Sequence, residues 1–295
     1  MPVQTVAIMS PGEMGHAVGR ALIAGGLDVV TCLEGRSSLT RKFSEEAGIR
    51  DLPSLGEMLA EADLVLSIVP PAKAVETAAT VAATMAASGH KPSYADCNAV
   101  SPDTTRRAGE EIARAGADYI DGGIIGPPPG EGAPPRFYVS GPGAGLMSEL
   151  DGMGIKVRPI GDEIGRASGI KMCYASMTKA TLALQTAVFT TAEALGLTAV
   201  LRAELMESRE ALYNQIETGT RRLPSVSARF IGEMEEIAAT YAAAGVTPKF
   251  HQGAIDVYRL LVSTPLAEET SETIDQNRTL EEAVKIFARH LPMKE

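Results

Sequence analysis

The residues of this chain whose types and spacing suit anion binding are Ser10-Pro11-Gly12-Glu13-Met14-Gly15. A turn built of small residues lets the backbone approach a phosphate, and glycine at 15 lets a following helix lie close against a preceding strand. The N–H groups of that helix's first turn would then bind a pyrophosphate. Ser10 departs from the usual dinucleotide fingerprint, because it stands where the first glycine is expected. Turns like this also join strand to helix where no ligand binds, so the flanking elements decide between the two readings.

Val6-Ala7-Ile8-Met9 precedes the turn as a short apolar strand, and Val18, Leu22 and Ile23 follow it at helical spacing. Asp28 to Leu33 reads as a second strand, with Glu34-Gly35-Arg36-Ser37-Ser38 as its exit loop. The end of that strand meets the adenosine ribose in a dinucleotide fold. An acid there favours NAD, whereas an arginine beside hydroxyls holds the 2′-phosphate of NADP. Arg36 and Ser37 therefore favour NADP, and Glu34 leaves NAD open.

Helical stretches then alternate with strands. Leu39 to Gly48 and Leu55 to Glu61 are helical, and Asp63 to Val69 is a nearly continuous apolar strand ending at Val69-Pro70. A helix over Ala74 to Ala87, a strand at Ser93 to Cys97, a helix over Asp103 to Gly116 and a strand from Asp118 follow. This rhythm predicts an α/β class, a doubly wound parallel Rossmann sheet with its ligand edge at the carboxyl ends of the strands. The loops at Ser10, Gly35, Val69-Pro70, Asn98 and Gly122 are expected to converge there. Asn98 would contact the nicotinamide ribose or substrate, or else bond its own backbone as a turn residue. Phe137 to Ser140 and Ile155 to Ile160 are expected as late strands, the second at the sheet edge.

From about Glu163 strands cease. Helices are predicted over about Ala167–Leu195, Thr198–Ile216, Ser225–Ala244, Gln252–Thr264 and Leu280–Phe287. The expected domains are 1–162, dinucleotide-binding, and 163–295, all-helical. The first long helix is apolar round most of its surface and must be buried, and the all-helical domain is too small to enclose it alone.

Composition excludes several classes. A formal net charge of −10 leaves no basic face for nucleic acid. No apolar run reaches the ~18 residues of a membrane span. A strand is expected by Thr5, leaving no room for a signal peptide, and Cys32, Cys97 and Cys173 are scattered like reduced cytoplasmic thiols. No metal-spaced cluster of histidine or cysteine is found.

On these residues the chain resembles the β-hydroxyacid dehydrogenase superfamily, which includes 3-hydroxyisobutyrate and 6-phosphogluconate dehydrogenases. The resemblance rests on Gly12-x-Met14-Gly15, Gly35-Arg36-Ser37, Val69-Pro70, Asp96 to Pro102, Asp121-Gly122-Gly123 and Gly165-x-x-x-Gly169-Ile170-Lys171-Met172. It implies a small-molecule substrate, an NADP cofactor, a catalytic lysine, Lys171, and a homodimer paired through the helical domains. Two positions depart from the family: its usual asparagine is Ala175, and its usual serine is Ile125. A lysine–aspartate pair of the last third is replaced by Gly232-Glu233. These departures are similar to a less characterised branch with its own C-terminal domain. Tyr119-Ile120-Asp121-Gly122-Gly123 and the prolines that follow also resemble imine reductases, which usually lack the lysine. A dinucleotide-binding sensor without turnover is the reading from another class.

Hydride transfer needs one matching proton transfer, and the resemblance assigns it to Lys171. Burial and the positive end of its helix would both disfavour the charged amine. Tyr174 and Thr178, three and seven residues on, are expected on the same face. They would serve the substrate, Tyr174 as a second catalytic group or as a packing residue. Gly122 and Gly123 are expected in a loop, with N–H groups available to a substrate carboxylate. Pro127 to Pro135 would rim the site, and substrate would enter between the sheet edge and the helical domain. Lys179 reads as a surface charge. His251 is placed outside the site.

Overall fold

The computed structural model describes residues 2–270 and 273–292. The chain begins β1 (Thr5–Met9), α1 (Glu13–Ala24), β2 (Asp28–Thr31), α2 (Ser38–Ala47), β3 (Arg50–Asp51) and α3 (Leu55–Glu61). It continues β4 (Leu64–Ser67), α4 (Ala74–Ser88), β5 (Ser93–Asp96), α5 (Pro102–Arg114) and β6 (Tyr119–Ile125). β7 (Arg136–Ser140) and β8 (Lys156–Pro159) complete one sheet of order β3-β2-β1-β4-β5-β6-β7-β8. Pairing is parallel except between β6 and β7, which run antiparallel with Gly122 opposite Val139 and Gly123 opposite Tyr138. The short strand β3 and the 3₁₀ turn Ala144–Leu150 carry no sequence pattern that announces them.

Strand periodicity builds the two faces of the sheet. Val6, Ile8, Leu64 and Leu66 pack with Val18 and Leu22 of α1 on one side. Ala7, Met9 and Val65 pack with Met58, Val81 and Met85 on the other. β1 lies between β2 and β4, so the winding reverses at β1 and opens a crevice at its carboxyl end. Serine hydroxyls cap three helices: Ser37, Ser54 and Ser101 each accept the amide three residues on, from Thr40, Glu57 and Thr104. Gly12, at the start of α1, offers no side-chain cap.

Chain packing forms two compact units, Met1–Tyr174 and Ala175–Glu295. The division falls within a long helical run. α6 (Arg166–Ala175) passes through a π turn at Ser176–Ala180 into α7 (Thr181–Ala194). The second unit continues α8 (Thr198–Ser208), α9 (Glu210–Arg221), α10 (Leu223–Ala243), α11 (Lys249–Val262) and α12 (Leu280–Arg289). The single helix expected over Thr198–Ile216 is two, broken at Arg209, whose φ of −149° and ψ of 45° lie outside the helical region.

In this unit Lys179 is not the expected surface charge. Its ammonium pairs with Glu233 at 2.5 Å and lies 4.8 Å from the Phe230 ring centre, with both charged side chains largely shielded from solvent. His251 is buried, with Nε2 2.8 Å from Ser176 Oγ, and burial pushes its pKa down. No helix among the described residues is long and apolar enough to cross a membrane.

Candidate active site

The site begins where β1 turns into α1. Ser10 takes a φ of +57°, the left-handed conformation that glycine usually supplies, and it is the one non-glycine residue among those described to do so. The serine thus keeps the turn that the fingerprint's first glycine makes, and the Gly12 N–H closes it on Ser10 O at 2.7 Å. A Cβ placed on Gly12 would meet nothing nearer than Ser10 O at 3.9 Å. Packing within the protein therefore does not require glycine at this position, and its absent side chain leaves the start of α1 open. At Gly15 a Cβ would touch Ile8 at 3.4 Å, an ordinary contact. The glycine that α1 needs for packing is Gly19, where a Cβ would fall 2.6 Å from Ile49 Cδ1. Pro11 is buried, Met14 packs partly on the core and Glu13 is exposed in the first turn.

A cavity of about 150 Å³ joins this turn to the end of β2, and Ser10, Thr31, Cys32, Glu34 and Arg36 line it. Glu34 and Arg36 are both exposed at its edge. Ser37 Oγ accepts the Thr40 N–H at 3.2 Å as the cap of α2. The serine's main work here is to start a helix, and that helix start faces the same loop.

Asn98 is 3% exposed and spans two loops. Its Oδ1 accepts the Val69 N–H at 2.6 Å and its Nδ2 donates to Ser67 Oγ at 3.1 Å. Its bonds reach beyond its own turn, and its amide fixes the main chain at Val69-Pro70. Val69 is half-buried and Pro70 exposed. This edge thus offers N–H donors at the helix start, a guanidinium in the loop after β2, and main-chain carbonyl acceptors at Val69-Pro70, whose one N–H is taken by Asn98. Among the described residues, no group of three or more His, Cys, Asp or Glu side chains is placed to hold a metal.

Gly122 and Gly123 lie inside β6, not in a loop. Sheet residues spend their backbone groups on neighbouring strands, which is why the loop expectation fails. Their smallness serves close approach instead. A Cβ on Gly123 would meet Ala167 O at 2.6 Å and Lys171 Cβ at 2.9 Å, and one on Gly122 would meet Asp96 O and Cys97 Sγ, both at 2.9 Å. α6 therefore rests directly on β6. Lys171 is half-buried there and its Nζ donates to Ile124 O at 2.7 Å, near the carboxyl end of the strand.

Asp121, fully buried on β6, was legible only as part of a motif. Its Oδ2 accepts the N–H groups of Gly165 (2.8 Å), Ala167 (2.9 Å) and Ser168 (3.2 Å), and the Ser140 hydroxyl at 2.8 Å. Oδ1 accepts the hydroxyls of Ser168 at 2.6 Å and Thr105 at 3.2 Å. A side-chain carboxylate thus lies on the start of α6. Asp96 sits opposite Asp121 in the β5–β6 register and is also buried. Its Oδ1 accepts the Asn98 N–H at 2.9 Å while Oδ2 has no partner. Burial pushes its pKa up to about 7, and the nearby Asp121 charge adds to the rise.

Tyr174 is 46% exposed, on the last turn of α6. Thr178 lies in the π turn, where α-helical spacing no longer holds, and its hydroxyl donates to Ala175 O at 3.2 Å. The first unit gathers the anion turn, the arginine loop, Val69-Pro70, Asn98 and Lys171 on its own sheet. Thr178 belongs to the second unit.

Residues 5–147 match the family described as the NAD binding domain of 6-phosphogluconate dehydrogenase. Residues 192–261 match a domain of unknown function, DUF1932. An uncharacterized 28.5 kDa protein of Methanothermus fervidus is 29% identical over 184 residues, covering 62% of this chain and 69% of that one. A conserved hypothetical protein of Sinorhizobium meliloti superposes with a TM-score of 0.69 at 23% identity, covering 98% of this chain and 97% of the other. The conserved protein MTH1747, described as structurally similar to 3-hydroxyacid dehydrogenases, gives a TM-score of 0.66 at 27% identity, covering 87% of this chain and 96% of its own.

Proposed function

We propose a specific reaction for this protein, on the support of the match of residues 5–147 to the NAD binding domain of 6-phosphogluconate dehydrogenase and of the likeness to a structure described as similar to 3-hydroxyacid dehydrogenases. The protein is a cytoplasmic NADP-dependent oxidoreductase that moves hydride between nicotinamide and a small hydroxy acid or its carbonyl partner. The observation that carries this reading is the Lys171 amine held 2.7 Å from Ile124 O at the carboxyl end of β6. That is the edge of the sheet to which Ser10, Val69 and Asn98 also belong.

Backbone N–H groups at the start of α1 would hold the pyrophosphate, with room left by Gly12. Arg36, beside Ser37, would hold the 2′-phosphate, and the chain at Val69-Pro70 would meet the nicotinamide end. The bound dinucleotide gives or takes the hydride. Lys171 carries the matching proton: its neutral amine accepts it from the substrate hydroxyl in oxidation, and its ammonium returns it in reduction. The Ile124 carbonyl supports the amine from one side, at the sheet edge where a substrate oxygen would be met. Tyr174 is proposed beside it at the substrate.

The test is turnover of NADPH and NADH with a panel of glyoxylate, succinic semialdehyde and a cyclic imine. Lys171→Ala should lower kcat on the best carbonyl by ~10²–10⁴-fold with NADPH affinity unchanged. Near-normal turnover in this variant would remove the lysine assignment, and preference for the imine would put imine reduction first. NADPH should bind at least about tenfold more tightly than NADH, and Arg36→Ala should erase that preference.

The proposal extends to a homodimer. Leu184 and Val188 are exposed one turn apart on α7, and Met177 is exposed in the π turn before it. Light scattering that returned the monomer mass at micromolar concentration would refute it.

A further inference from the structure

We infer that Asp121 is the positioning residue for Lys171. It acts through the start of α6, and the inference rests on the reading of Lys171 as the proton-transfer group. α6 has no acidic residue of its own in its first turn. The charge that closes its N-terminus comes from β6, more than 40 residues earlier in the chain, and it takes up the amides of Gly165, Ala167 and Ser168. The first turn of a helix leaves N–H groups without intrahelical partners, and a buried end must satisfy them. Asp121 does so from the strand whose later residue, Ile124, receives the lysine amine.

Two attachments therefore join α6 to β6, three residues apart on the strand. Asp121 holds the start of the helix, and Ile124 O holds the side chain that projects from its middle. Gly123, between them, carries no side chain, and a Cβ there would strike both Ala167 O and Lys171 Cβ. The helix can neither slide along the strand nor lift without breaking the Asp121 bonds. The height of the lysine amine over the sheet edge is set by that carboxylate. Ser140 and Thr105 donate to the same carboxylate from β7 and α5, so its own orientation is fixed from two further elements.

The experiment uses the full-length protein and two variants. Asp121→Asn keeps the shape but turns one acceptor into a donor among N–H groups. Ser168→Ala removes only the 2.6 Å hydroxyl bond and leaves the carboxylate, so it decides the matter if the first variant fails to fold. Competitive acetylation with acetic anhydride compares Lys171 with the exposed Lys42 as internal reference, while hydrogen exchange follows Ala167 and Ser168 against α12. Lys171 labelling should rise at least about tenfold relative to Lys42 in Asp121→Asn, and less in Ser168→Ala, with exchange quickened in α6 and unchanged in α12. An unchanged Lys171:Lys42 ratio in the folded variants, or an equal rise of exchange in α12, would overturn the inference.

Turnover of the best carbonyl of the panel gives the second readout. Asp121→Asn should lower kcat at least about tenfold in the wild-type background and have little effect in Lys171→Ala, because residues acting as one unit are not additive. Equal losses in both backgrounds would show a merely structural role. Normal turnover of Lys171→Ala alone would remove the lysine reading, and the labelling ratio would still report whether Asp121 holds α6.

Discussion

Two helices of the sheet domain begin in opposite ways. α1 starts at Gly12 with no side-chain cap and with space above it. α6 starts against a buried carboxylate that accepts three of its neighbouring amides and two hydroxyls besides those of the helix. Each helix start presents the same unsatisfied N–H groups and the same positive dipole end. Where the chain supplies its own anion, the helix is being held in place. At α1 the only acid of the first turn, Glu13, is exposed, and the proposed occupant of the uncapped end is an anion that arrives with a ligand. The match of residues 5–147 to an NAD binding domain points to a dinucleotide as that ligand.

The largest test of this contrast fills the open end. Gly12 has a φ of −84°, which any residue adopts, and a free approach for a Cβ. Gly12→Val should therefore fold and melt like the wild type yet bind NADPH at least 100-fold more weakly, about 2.7 kcal/mol, by fluorescence titration. Unchanged affinity would mean that the pyrophosphate does not lie at α1.

A smaller effect belongs to the closed end. Asp96 faces Asp121 across the β5–β6 register with one oxygen unpartnered, and its pKa stands at about 7, above the ordinary 3.8. The folded protein therefore holds a proton on Asp96 between about pH 4 and 7 that the unfolded chain releases, so stability from this group falls as pH rises through that window. Asp96→Asn should flatten that slope and raise stability at pH 8 by roughly 2 kcal/mol, less than the full linkage value because the amide's own N–H groups need partners. Urea melts at pH 5 and pH 8 measure it. A variant that kept the wild-type slope would show that the proton sits elsewhere.

The smallest change concerns Ser10. A left-handed serine costs about 1–2 kcal/mol, while glycine gives back roughly 0.5–1 kcal/mol through the entropy of the unfolded chain. Ser10→Gly should thus stabilise the protein by a few tenths to about 1 kcal/mol and leave NADPH affinity alone. A loss of affinity would show that the serine hydroxyl itself touches the cofactor.

Much of the sheet domain was legible because it rests on local signals. Apolar patterning, with glycine and proline at turns, made β1, β2, β4 to β8 and the helices between them legible, since strand and helix periods depend on neighbours in the chain. The cofactor edge followed from that order, because parallel strands bring their carboxyl ends to one side whatever their side chains are. Lys171 stood out only through its glycine-flanked motif, as nothing in its immediate neighbours distinguishes it from a solvated lysine.

Contacts between distant segments were decided by tertiary structure. Gly122 and Gly123 resemble loop residues in sequence, yet the pairing of β6 with β7 makes them strand, and the approach of α6 explains why they lack side chains. Asn98 bonds Val69, 29 residues away, and Asp121 bonds Gly165, 44 residues away. Lys179 carries the sequence signature of a surface charge until Glu233, 54 residues on, closes over it. Sequence by itself determined which segments coil or extend and where their turns fall, because those are set by torsions and periodicity within a few residues. Which polar side chain is buried, whom it bonds, and which amine it holds in place were decided only by folding, because a buried hydrogen bond is fixed by distance in space, and separation along the chain does not predict it.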